Sequence, residues 1–162
     1  MERISQHISY QEATRSITAI RNGIRNTPNP VQIANMQRLA EAIFEPLRKF
    51  FGVPIYVTSF FRAFKLNKLV GGSQSSQHLA TKGAAIDLDD TLGGVTNAMM
   101  FHYIKDNLDF DQLIWEFGDD KNPDWVHASY VSQFQNRKIV LRAIRFTDRG
   151  GKKRTKYIPY AA

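Results

Sequence analysis

The hydrophobic pattern changes its period near residue 52, and this change constrains the fold more than any other feature. From Val31 to Phe51 the apolar residues recur at helical spacing. Beyond Gly52 the apolar stretches are short, rich in β-branched residues and separated by turn-forming residues. Helices followed by strands favour an α+β fold, with N-terminal helices packed on a small, mostly antiparallel sheet.

The pattern predicts where the individual elements lie. Helices are expected at 10–22, 31–51, 64–70 and 93–108, with a kink or break at Pro46 in the second of these. Strands are expected at 53–59, 83–89, 110–117, 125–130 and 138–146. From Thr147 onward the tail is polar and basic, and we predict turns there.

Composition limits the kinds of site that this chain can build. Its 162 residues correspond to one domain, which we expect to span 1–162 with a basic final strand and tail at 137–162. The chain has no Cys, which excludes a disulfide scaffold, a thiol nucleophile and a Cys-ligated metal. A metal would have to be bound by carboxylates and by some of the four His.

The sequence shows no targeting or membrane-spanning segment. The N-terminus lacks the apolar region of a signal peptide, and no apolar run reaches the roughly 18 residues that a membrane helix requires. We therefore expect synthesis in the cytoplasm without a signal peptide. Separately, we expect the protein to be a monomer.

Three residues have the types and positions that a zinc site requires. His78 ends the loop GGSQSSQH, Asp87 lies in the strand GAAIDLD, and His127 lies in the strand WVHASY. Catalytic zinc needs three such protein ligands and one open position for water. If the two strands are neighbours, these side chains can meet. On spacing alone, a purely structural role for the two histidines remains the commoner outcome.

The sequence segments around these residues are a more specific signal of function than the spacing. SSQHLATKGAAID resembles the S-x-H…G-x-A-x-D signature of the zinc D-alanyl-D-alanine carboxypeptidases and their relatives, the L-alanyl-D-glutamate endopeptidases of phage endolysins. ISYQEATRS, VPIYVTSFFR, FDQLIWEFG and WVHASY also appear in the family's order, so the resemblance spans roughly 8–132. It implies that His78, Asp87 and His127 bind Zn²⁺. LATK, between His78 and Gly83, is longer than the family's usual spacer.

The resemblance also implies substrate-binding residues. Arg62 matches the Arg of the family word T-S-G-Y-R, which holds a substrate carboxylate or carbonyl. Its planar guanidinium suits this role because it can pair bidentately with a carboxylate. Ser76 matches the Ser of the zinc motif, and Gln77 adjoins the ligand. Each is implied to form a hydrogen bond, either with substrate or with a residue that supports the metal ligands.

Two carboxylates are candidates for the general base that accepts a proton from the metal-bound water. Glu116 fits the word Q-L-I-x-E, which recurs in the most similar branch of the family. Asp124 lies three residues before His127, where several relatives carry an acidic base. The sequence favours Glu116 only slightly, so both remain catalytic candidates together with Arg62.

These observations predict a zinc metallopeptidase that hydrolyses an amide bond in peptidoglycan stem peptides. By the same resemblance, it would act on the bacterial cell wall as a phage lysis or virion-associated enzyme. One alternative is a non-catalytic cell-wall-binding module of the same fold. The other is a basic nucleic-acid-binding protein, which is disfavoured because no nucleic-acid-binding motif is recognised.

The net charge of +7 is concentrated at the C-terminal end of the chain. Residues 137–162 contain nine Lys and Arg against one Asp, so the rest of the chain is nearly neutral. We expect this tail to bind an anionic cell-wall polymer or a membrane surface, and we expect no nucleic-acid partner. A basic strand that only aids solubility is an equal alternative.

Overall fold

A single six-stranded sheet organises the chain in the computed structural model, which describes residues 2–161. The helices are α1 (Tyr10–Thr14), α2 (Ile17–Arg21), α3 (Pro30–Leu39), α4 (Glu45–Phe51), α5 (Phe64–Leu69) and α6 (Asn97–Asn107). A π-helical turn, Ala40–Phe44, joins α3 to α4, and a 3₁₀ turn, Gln77–Leu79, precedes the second strand. The strands are β1 (Tyr56–Ser59), β2 (Ala84–Asp89), β3 (Gln112–Glu116), β4 (Trp125–Tyr130), β5 (Ile139–Thr147) and β6 (Lys153–Pro159).

The strand order is β1-β2-β4-β3-β5-β6. Every neighbouring pair is antiparallel except β3 and β5, which run parallel. The predicted α+β class with a mostly antiparallel sheet is therefore confirmed. None of the helices in the described part of the chain is long and apolar enough to span a membrane.

The two faces of the sheet have different roles. One face packs against the helices from α3 to α4 and against α6, and alternate strand residues such as Ile86, Leu113 and Val126 are buried there. Because side chains alternate along a strand, the residues between them point to the opposite face. That face carries Asp87 and His127 and forms the floor of an open cleft.

The first predicted helix is interrupted, contrary to expectation. Residues 10–22 form two short helices, because the Ser16 side chain accepts a hydrogen bond from Ala19 N–H and starts a new helix. This restart changes the orientation of the residues that follow. Ile17 and Ile20, which a continuous helix would place on the same face as buried Ala13, are largely exposed.

The second predicted helix is continuous in space but changes its geometry before Pro46. Proline has no N–H to donate to the preceding turn. The chain accommodates it with the π-helical turn Ala40–Phe44, after which Glu45 N–H bonds to Ala40 O. The expected kink or break is therefore a local widening of the helix.

The prediction of a turn-like tail is wrong. Residues 153–159 form β6, which pairs with β5 from Leu141↔Pro159 to Thr147↔Lys153. The two strands make a hairpin at the edge of the sheet. Alternation in KRTKYIP was the available signal, but the many cations obscured it because Lys is uncommon in strands.

Candidate metal centre

The sheet register brings two of the predicted metal ligands together. Asp87 of β2 lies directly opposite His127 of β4, which in turn lies opposite Ile114 of β3. Directly opposed residues have Cβ atoms about 4.5–5.5 Å apart, so their side chains meet on the cleft face. The sequence-based condition that these strands be neighbours is satisfied.

His78 completes the group from the 3₁₀ turn that precedes β2. Its Nε2 lies 3.3 Å from Asp87 Oδ2, and His127 Nδ1 lies 2.8 Å from Asp87 Oδ1. One potential ligand atom from each of the three residues lies within 4.8 Å of the others. Two imidazoles and a carboxylate thus converge at one point of the cleft.

Several backbone contacts fix the position of His78. The Ser76 side chain accepts a hydrogen bond from His78 N–H, and His78 O accepts one from Arg62 N–H at 2.9 Å. His78 Nδ1 lies 2.8 Å from the carbonyl oxygen of Phe60. Because a carbonyl can only accept, Nδ1 carries the proton, and the lone pair of Nε2 is directed toward Asp87.

The long spacer LATK is anchored by α3. The Gln32 side chain donates to Leu79 O at 2.8 Å, and Asn35 donates to Ala80 O at 2.9 Å. Gly83 ends the spacer at φ 79°, where a Cβ atom would lie 2.4 Å from Tyr130 O. The longer loop therefore keeps both ends fixed, and only glycine fits at its junction with β2.

The surroundings of Asp87 and His78 suit metal ligands. Burial opposes ionisation of Asp87, but the neighbouring His78 and His127 hold its pKa well below the usual range. Burial lowers the pKa of His78 despite the adjacent Asp87. An ionised carboxylate and a neutral imidazole are the forms that bind metal.

This donor set fits zinc. Neutral imidazole and carboxylate are its usual ligands in the absence of Cys, and three protein ligands leave a fourth position open. Asp87 is only 6% exposed, and its carboxylate lies among Arg62, His78 and His127, which converge from separate elements. His78, Asp87 and His127 are the residues that would hold the ion.

Glu116 lies on the cleft face close to this group. It lies two residues after Ile114 on β3, so both side chains point to the cleft face. Paired residues form a row across four strands: Trp125, Glu116, Ala143 and Tyr157. Glu116 is only 5% exposed. Burial, reinforced by the charge of Asp87, raises its pKa to about 7, although His127 and nearby arginines oppose the shift.

Asp124, the other candidate base, is differently placed. Its side chain is 46% exposed and lies 3.4 Å from Arg145 Nη1. It does not line the cleft, whereas Glu116 does. Only its backbone approaches the candidate base, since Asp124 N–H donates to Glu116 O at 2.8 Å.

Arg62 and Gln77 line the cleft, and each has an internal partner. Arg62 Nη2 lies 3.0 Å from Asp87 Oδ2, and its Nε donates to Ser59 Oγ at 3.0 Å. Gln77 donates to Asp111 Oδ2 at 2.9 Å. Ser76 also lines the cleft, but its hydroxyl caps the turn that presents His78.

Two features of the cleft escaped the sequence interpretation. Tyr157 and Leu141 reach the cleft from β6 and β5, which lie outside every quoted motif. Buried Asp111 pairs with Arg137 at 2.6 Å and accepts a hydrogen bond from Gln77, so it fixes the positions of both side chains. The aspartate directly before the word QLIWE was visible, but no pattern links it to an arginine 26 residues later.

The cleft has a volume of about 1770 Å³ and is open to solvent. Ligand pockets for small molecules are typically about 300–1,000 Å³. A groove of this size accommodates an extended chain better than a single small molecule.

Comparison with known families bears on this site. The sequence profile of the peptidase M15 family matches residues 6–129. This segment includes all the candidate ligands and Glu116, and it ends within β4, before β5 and β6. No curated protein sequence matches the chain.

Proposed function

The chain belongs to the M15 peptidase family, and on that premise we propose that it is a zinc-dependent peptidase that hydrolyses an amide bond in peptidoglycan stem peptides. The observation that carries the proposal is the convergence of His78, Asp87 and His127 beside buried Glu116. A structural group of histidines would not require a protonatable carboxylate in the same cleft.

The metal ligands and the base divide the chemistry between them. Zinc held by His78, Asp87 and His127 would act as a Lewis acid and would lower the pKa of the attacking water to about 7. Glu116 accepts the proton from the attacking water at its carboxylate and returns it to the leaving amine. A general base acts best when its pKa lies near the working pH, and burial of Glu116 provides this.

Arg62 orients the peptide in this proposal. Its guanidinium lies at the cleft between Asp87 and Ser59, and Nη1 has no partner among the described residues. A substrate carboxylate or carbonyl can bind there. Gln77 and Ser76 lie on the same side and are proposed to contact the peptide backbone.

Glu116 is proposed as the base in preference to Asp124. Burial and a raised pKa allow Glu116 to hold and release a proton near neutrality. Asp124 is solvent-exposed and is paired with Arg145, which keeps its carboxylate away from the cleft. The same contrast disfavours a non-catalytic binding module, since such a module has no need of a buried carboxylate beside the ligands.

We further propose that the protein acts on the bacterial wall as a phage lysis or virion-associated enzyme. This extension rests on the family resemblance alone. The open cleft supports a peptide chain as substrate.

Digestion of purified peptidoglycan tests the proposed function. The protein with zinc should release peptides with new amino and carboxyl termini, identified by mass spectrometry. A chelator should abolish the release, and added zinc should restore it. Intact muropeptides after prolonged digestion by the zinc-loaded protein would contradict the proposal.

A further inference from the structure

The end of the β5–β6 hairpin projects beyond the rest of the sheet. Strand β3 pairs with β5 only as far as Glu116↔Ala143. From Ile144↔Lys156 to Thr147↔Lys153 the two last strands pair only with each other. We call residues 144–156 the basic finger.

The basic finger is the most cationic part of the structure. It carries six cations and one acidic residue, Asp148. Four of the cations have no carboxylate within 4.0 Å among residues 2–161: Arg149, Lys152, Lys153 and Lys156. All four are exposed.

The tip of the finger is an ordered turn. The Asp148 side chain accepts hydrogen bonds from the backbone N–H groups of Gly150 and Lys152, at 3.0 and 2.9 Å, and from Arg154 Nε at 3.0 Å. Gly151 has φ 78°, a value that favours glycine. The single acidic residue thus organises the turn, and the cations are presented outward on a defined scaffold.

The base of the finger is fixed to the body of the protein. The Arg145 guanidinium lies 3.7 Å from the centre of the Phe117 ring and also pairs with Asp124. Phe117 directly follows Glu116, so the finger begins at the mouth of the cleft. Tyr157, next to the finger, lines that cleft.

The distribution of charge indicates the kind of partner. Because side chains alternate, Arg145 and Lys153 lie on one side of the ribbon, and Arg154 and Lys156 lie on the other. An element that lies in a membrane interface needs an apolar face, whereas the finger exposes a single large apolar side chain, Phe146. Here the tip is Arg-Gly-Gly-Lys, which suits a flexible chain of anionic groups passing around it.

We propose that the basic finger binds a linear polyol-phosphate polymer of the cell wall and thereby holds the cleft against its substrate. The choice of a wall polymer rests on the proposed function. The binding itself rests on the charge and geometry of the finger. Arginine and lysine both bind phosphate, and binding that displaces counterions weakens as salt rises.

The test compares two triple variants with equal loss of charge. Lys152→Gln, Lys153→Gln, Lys156→Gln neutralises the finger. Lys49→Gln, Lys65→Gln, Lys68→Gln neutralises three exposed lysines outside it. Affinity for poly(glycerol phosphate) is measured for each at low and high salt, with single-stranded DNA and anionic lipid vesicles as competing probes.

We expect the finger variant to lose roughly tenfold or more in affinity for the polymer and to show a shallower salt dependence. The control variant should stay within about twofold of the unmodified protein. Equal losses in both variants would overturn the proposal, because net charge alone would then explain binding. No binding by the unmodified protein, or binding to DNA or vesicles as tight as to the polymer, would also overturn it.

Hydrolysis of a soluble stem peptide separates this proposal from the proposed function. The finger variant should cleave that peptide as fast as the unmodified protein. Polymer binding by a protein that cleaves nothing would contradict the proposed function and support the finger. Cleavage by a protein that does not bind the polymer would support the proposed function and contradict the finger proposal.

Discussion

At the scale of single residues, two carboxylates on one sheet face differ because their neighbours differ. Asp87 lies beside Arg62 and two imidazoles, and the imidazoles of His78 and His127 hold its pKa well below the usual range. Glu116 is buried near the charge of Asp87, and its pKa is raised to about 7. Carboxylates whose pKa values are driven apart in one site are suited to different roles. The charged one suits a ligand and the protonatable one suits a base.

Replacing the proposed base should separate chemistry from metal binding. Glu116→Gln should lower kcat on a stem peptide by about 10²–10⁴-fold, because a positioned base contributes about that much. Zinc content should be unchanged. Asp124→Asn is the matched control and should retain kcat within a few-fold. Strong loss in the Asp124 variant with an active Glu116 variant would reverse the assignment.

The raised pKa of Glu116 also predicts how the metal-free protein responds to pH. A carboxyl whose folded pKa lies above its usual 4.5 stabilises the fold below pH 4.5, and this contribution is lost as pH rises through about 7. Between pH 4.5 and 8 the unmodified protein should lose on the order of 3 kcal/mol relative to Glu116→Gln. Urea unfolding of both proteins, each free of metal, measures the difference. Parallel stability curves would show that Glu116 titrates normally.

At the scale of elements, the sequence predicts the helices and strands whose positions are determined by the local hydrophobic pattern. Strand 125–130 was predicted with its observed bounds, and strand 83–89 within one residue, because both are rich in apolar residues. The division of helix 10–22 depends on one capping hydrogen bond at Ser16, which periodicity does not reveal. Strand β6 was missed because its cations concealed its alternation.

The late hairpin contributes a cleft residue that the motifs do not include. Tyr157 is half exposed at the end of the row that contains Glu116, and small Ala143 separates the two. Its hydroxyl is available to donate a hydrogen bond to a peptide carbonyl. Tyr157→Phe should therefore raise KM by roughly three- to tenfold with little change in kcat, the signature of lost uniform binding.

The matched control for Tyr157 is Tyr103→Phe. Tyr103 lies on α6, where its ring packs against Phe50 and Phe51, far from the cleft lining. It should leave KM unchanged. An unchanged KM in Tyr157→Phe as well would show that the hairpin does not contact the peptide.

At the scale of the whole molecule, one face of the sheet contributes to stability and the other carries the candidate site. The helices bury one face, and the cleft occupies the other. The candidate ligands could be recognised in the sequence because each lies in a short word with a distinct pattern. The choice between Glu116 and Asp124 could not, because it depends on which side chain the β3–β4 hairpin turns toward His127. The pairing of Asp111 with Arg137 depends likewise on long-range packing.

In the proposed function, hydrolysis depends on zinc held by His78, Asp87 and His127. The most direct test measures zinc per chain, by elemental analysis, together with stem-peptide cleavage in His78→Ala, His127→Ala and the control His102→Ala on α6. We predict one zinc per chain in the unmodified protein and in the control, and loss of zinc and cleavage together in the two ligand variants. Full zinc content in either ligand variant, or cleavage that persists without zinc, would contradict the account.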